Sequence, residues 1–104
     1  YQKFKQTTGT ALTTFLTLPI LNGECKTYEA TVTALDSTGA LGYARKTYGT
    51  FRSNGTITQI GTSTITYTNS DFGGGVTASI NAAGVEITGQ AATTINWNLI
   101  LKEI

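Results

Sequence analysis

Residues Thr94–Glu103, T-I-N-W-N-L-I-L-K-E, decide the fold class. Ile95, Trp97, Leu99 and Leu101 alternate with Thr94, Asn96, Asn98 and Lys102, and that period of two marks a strand with one buried face. The only tryptophan of the chain stands in its middle. Just upstream, Gly84–Ala92 (G-V-E-I-T-G-Q-A-A) reads as a short strand and a Gly-bounded connection that places both strands in one sheet or across a sandwich.

Composition extends this reading to the whole chain. At 104 residues it is one domain by size, 1–104, large enough for an independent core. Charged residues are only 12%, well below the usual quarter or so, and threonine and 12 glycines fill the gap. β-Branched threonine suits pleated, half-solvated surfaces, and no apolar stripe at helical spacing occurs, so the composition favours all-β. A net charge of +1 with dispersed cations predicts no nucleic-acid partner. No apolar run approaches eighteen residues, so no membrane insertion is expected. The chain begins at Tyr1 and has no methionine, which suggests a fragment from the end of a longer chain.

Taken in order, residues 1–10 are polar with two aromatics and read as a docking arm. Ala11–Leu21 reads as a strand with Leu12, Thr14, Leu16, Leu18 and Ile20 on one face; Pro19 points to an edge or a strand end. Asn22-Gly23 is a two-residue hairpin signal into Glu24–Leu35, where Tyr28, Ala30, Val32 and Ala34 share a face. Asp36–Gly39 is a turn in which Asp36 can bond its own backbone. Leu41–Ser53 is a long strand of ambiguous facing, with Gly49 placed to hold a register-switching bulge. Asn54-Gly55 closes it onto Thr56–Ile60; as Asn54-Gly55-Thr56 the same residues spell a glycosylation sequon, but the turn already accounts for them. Gly61 separates that run from Thr62–Thr68. Val76–Ile80, Val85–Ile87 and the terminal strand complete about eight strands, the pattern of an antiparallel, jelly-roll-like β-sandwich.

The chemistry in the sequence is mostly negative. There is no histidine to serve Cys25 or a serine as base, and the six carboxylates form no catalytic pair, so no enzyme, metal or cofactor is expected. Asn69 with Asp71 is thin ligation for calcium, and Gly73-Gly74-Gly75 lacks the Lys and Ser/Thr of a phosphate loop. The threonine row Thr62–Thr68 reads as solvated β surface. Of the aromatics, Tyr48, Phe72 and Tyr43 are the candidate ligand-binding residues, because flat rings suit the apolar faces of saccharides; the competing reading places most rings in the core.

The segment V-E-I-T-G-Q-A-A-T-T-I-N-W-N-L-I-L-K-E (Val85–Glu103), together with Phe51-Arg52-Ser53-Asn54-Gly55-Thr56 and Ile60-Gly61, resembles the C-terminal β domains of bacteriophage tail-fibre, tailspike and related receptor-binding virion proteins. The likeness spans most of Thr27–Glu103. It implies a virion structural and attachment domain, extracellular on the phage tail, acting as a homotrimer and binding a host-surface glycan or protein receptor without catalysis. The alternative is a monomeric carbohydrate-binding module of a secreted enzyme.

Overall fold

A computed structural model describes residues 1–104. Eight strands run β1 (Gln2–Thr8), β2 (Leu12–Leu16), β3 (Cys25–Asp36), β4 (Gly42–Ser53), β5 (Ile57–Ser70), β6 (Thr77–Asn81), β7 (Gly84–Thr88) and β8 (Thr94–Glu103). They form two antiparallel sheets, one of five strands in the order β1-β8-β3-β4-β5 and one of three in the order β2-β7-β6. The apolar positions read from strand parity meet between the sheets. Ile95, Trp97, Leu99 and Leu101 of β8, Tyr28, Ala30 and Val32 of β3, and Ala78, Ile80, Val85 and Ile87 of the smaller sheet are buried in one core. The Trp97 indole donates from Nε1 to Thr7 Oγ1 at 2.8 Å, so the one polar atom of the largest buried side chain is satisfied.

The eight strands are not the eight read from the sequence. Residues 1–10 are no arm: Gln2–Thr8 pairs along its whole length with β8, from Gln2↔Ile100 to Thr8↔Thr94. Its half-buried positions are Lys3, Lys5 and Thr7, and its aromatic Phe4 faces outward, so no apolar alternation announces it. Conversely, Thr56–Ile60 and Thr62–Thr68 belong to one strand, β5. β5 carries the extra residues at both register shifts of this pair: Thr66 opposite the Lys46–Thr47 step, and the residues between Ile60 and Thr64, which face only Tyr48–Thr50 and include Gly61 at φ 72°; the irregularity is thus not in β4 at Gly49. β4 therefore keeps one facing throughout, with Tyr43, Thr47 and Phe51 inward.

The strand expected over Ala11–Leu21 is shorter, Leu12–Leu16, and its residues do not keep one facing. Thr14 and Leu16 face consecutive residues of β7, Phe15 is the extra residue of a bulge and is fully buried, and Leu12 is 65% exposed. Leu18 and Ile20 reach the core from an irregular segment. Asn22-Gly23 lies in a turn closed by Glu24 N–H to the Leu21 carbonyl, on a crossover between the sheets and not in a hairpin, since β2 pairs with β7. The Asp36 turn is as read: the carboxylate accepts from Ala40 N, Leu41 N and the Thr38 hydroxyl at 2.8–3.1 Å.

Candidate functional site

The three rings nominated from the sequence do not converge. Tyr43 is buried, accepts a hydrogen bond at its hydroxyl from Ala78 N at 3.0 Å, and meets the Trp97 indole edge-on with centroids 5.8 Å apart. Burial pushes its phenol pKa up. Phe72 is also buried, held where Ser70 Oγ accepts from Phe72 N at 3.1 Å. Neither ring has a free face for stacking on a sugar: β4 parity turns Tyr43 inward, and the loop after β5 folds Phe72 back under the sheet. Tyr48 alone stands on the outer face of the five-stranded sheet, half-buried. Its hydroxyl is raised in pKa chiefly by a hydrogen bond to the Glu29 carboxylate, which is lowered by that bond and by Lys46, 3.4 Å away.

That outer face holds a different arrangement. The smaller sheet covers the inner face only, so the outward parity of β1, β8, β3, β4 and β5 meets solvent. Register places Phe4 opposite Asn98, Asn98 opposite Thr33, Thr33 opposite Ala44 and Ala44 opposite Asn69, one rung across all five strands. Phe4 is 71% exposed and Leu35, beside Thr33, is 50% exposed. Between them lies a depression of about 280 Å³ whose polar walls are Asn96 and Asn98. A second, of about 250 Å³, lies on the other side of β3 over Gly42, Ala44 and Asn69, and the two share Ala34.

The carboxamides here are fixed. Gln2 Nε2 donates to Asn98 Oδ1 and Gln6 Nε2 to Asn96 Oδ1, both at 3.0 Å, on either side of the Phe4 ring. Each asparagine keeps its Nδ2 donors and each glutamine its Oε1 acceptor for a ligand. The one charged group touching either depression, Asp71, is engaged by Gly42 N at 3.0 Å. An exposed ring flanked by oriented neutral donors and acceptors is suited to a neutral, hydroxyl-rich ligand with an apolar face. Sequence reading missed it because Phe4 lay in the supposed arm. The only available signal was the outward parity of Asn96 and Asn98.

No protein-family model and no curated protein matches this chain. Among solved structures, its fold resembles part of the tailspike protein of the Acinetobacter phage vB_ApiP_P1, with a TM-score of 0.56 at 15% sequence identity over 97% of this chain and 21% of that one. The chain thus spans about a fifth of the tailspike's length, and at this identity the likeness is one of fold.

Proposed function

We propose that the chain is a non-catalytic attachment domain of a phage tail-fibre or tailspike protein, holding a host-surface saccharide on the open face of its five-stranded sheet. The observation that carries the reading is Phe4, 71% exposed between the Gln2–Asn98 and Gln6–Asn96 carboxamide pairs. Near-complete coverage of the chain by a tailspike fold favours a virion setting over a secreted enzyme's binding module. In keeping with binding without turnover, every carboxylate is engaged within the chain and none stands in the depressions unpartnered: Glu24 and Glu103 share Lys26, Glu29 has Lys46, Asp36 its turn, Asp71 Gly42 N, and Glu86 the Asn81 amide.

In this reading the domain works as a homotrimer, a low-charge surface requiring little desolvation when copies meet. The test is a printed glycan array probed with the chain and with Phe4→Ala, alongside light scattering. Saccharide retention that Phe4→Ala abolishes, on a trimeric particle, is the expected result. Retention of no saccharide ends the attachment reading, and a monomer that binds sugar favours the binding-module alternative.

A further inference from the structure

We infer that this face takes an extended, unbranched, neutral oligosaccharide laid across the strands, about four sugar units long; the inference rests on the saccharide reading above. The two depressions are not separate sites. They flank β3, share Ala34, and follow one rung of the sheet from Phe4 on β1 to Asn69 on β5. Four inter-strand gaps of about 4.8 Å make that path about 19 Å long. A pyranose unit of an extended chain is comparable in length to one such gap, so each unit sits over about one strand spacing.

The lining changes along the path in a way that suits a chain and not a single sugar. Phe4 gives an apolar contact at the β1 end, and Leu35, beside Thr33 on β3, gives another at the flank of the path. Thr33, Ala44 and Gly42 keep the floor low in the middle, and Asn69 supplies an amide at the far end. Side chains of that size leave room for a thin ligand lying flat, and polar groups on β8, β3 and β5 meet hydroxyls at intervals.

Other occupants fit less well. An extended peptide docks by hydrogen bonds at a sheet edge, whereas β8, β3 and β4 are interior strands paired on both sides. An anionic ligand meets no free cation in the depressions; the nearest basic side chain on the face, Lys46, is paired with Glu29. An amphipathic helix needs a continuous apolar groove, and this path alternates apolar and amide groups.

The test takes a neutral glycan retained on the array and titrates its backbone, in lengths from one unit upward, into the chain by calorimetry. Affinity is expected to rise by about tenfold or more between one unit and four, and to level off beyond. Phe4→Ala should weaken every length, while Ala44→Gln, which fills the floor on β4, should weaken the four-unit ligand and leave the two-unit ligand unchanged. Circular dichroism checks that both variants fold. Equal affinity for one and four units, or a four-unit ligand indifferent to Ala44→Gln, overturns the cross-strand path and leaves the attachment function standing. Preference for an acidic saccharide over its neutral counterpart overturns the path's stated chemistry. Self-association of the chain that Phe4→Ala removes, with no saccharide retained, overturns both readings.

Discussion

Replacing Trp97 by alanine tests whether the two faces of β8 are separate in function. Trp97 is 1% exposed, its Nε1–H is bonded to Thr7 Oγ1 at 2.8 Å, and its ring meets Tyr43. Truncating a buried tryptophan costs about 3–5 kcal/mol, the cavity included. A domain of this size has about 5–15 kcal/mol in all. The melting temperature should therefore fall by about 15–30 °C. Trp97→Phe, which keeps most of the volume and loses the Thr7 bond, should cost about 1–2 kcal/mol. Trp97 is the only tryptophan, so its own fluorescence cannot report; unfolding is followed by far-ultraviolet circular dichroism in urea and by calorimetry. At a temperature where Trp97→Ala remains folded, saccharide binding should persist, because Phe4, Asn96 and Asn98 lie on the opposite face. A variant that melts within a few degrees of the parent and has lost its sugar would place Trp97 in the site and refute the assignment of faces.

The same substitution should have opposite signs at two buried tyrosines. Tyr43→Phe orphans the Ala78 N–H and should destabilise by about 1–2 kcal/mol, whereas Tyr28→Phe removes a buried hydroxyl that has no partner and should stabilise by up to about 1 kcal/mol, both read by urea denaturation. Gly84→Ala should cost at least about 2 kcal/mol in calorimetry, because at φ 120° an added Cβ would collide with the Leu16 carbonyl oxygen. Backbone donation from Leu41, with Thr38 and Ala40, holds the Asp36 carboxyl below its ordinary value of 3.8. That contribution is whole above this value and is lost as pH falls below it through the native pKa, so Asp36→Asn should lower stability at neutral pH and flatten the acid limb of the melting profile.

What the sequence discloses is burial, and only through parity. β8 and β3 were legible because their apolar residues stand on one face and nothing interrupts the alternation. β1 was not, because its half-buried positions are lysines and a threonine, and its one aromatic is displayed. The facing of Ala11–Leu21 was hidden for a related reason: Thr13 and Phe15 turn inward up to the bulge and Leu18 and Ile20 after it, and nothing in L-T-T-F-L marks where the switch falls. Gly61 was read correctly as an interruption, but an interruption within an edge strand is a bulge, whereas between strands it is a turn, and the partner strand decides which. The candidate site was illegible because it joins the chain's ends. Gln2 and Asn98 are 96 positions apart, and only the β1–β8 pairing makes them neighbours.

The period of two that makes β8 readable also frees its outer face. A sandwich of this kind requires apolar residues at alternate positions and a workable turn at each end; it sets few conditions on which polar residues occupy the others. Two chains can therefore share the fold at 15% identity while differing across the exposed sheet. On β8, Ile95, Trp97 and Leu99 are tied to the core, and Asn96 and Asn98 stand between them on the face that carries Phe4. Substitutions at Asn96 and Asn98 can change the chemistry of that face without opening a cavity beneath. The strand that fixes the fold thereby also presents the proposed binding surface, and its pairing with β1 on one side and β3 on the other sets the spacing of those carboxamides.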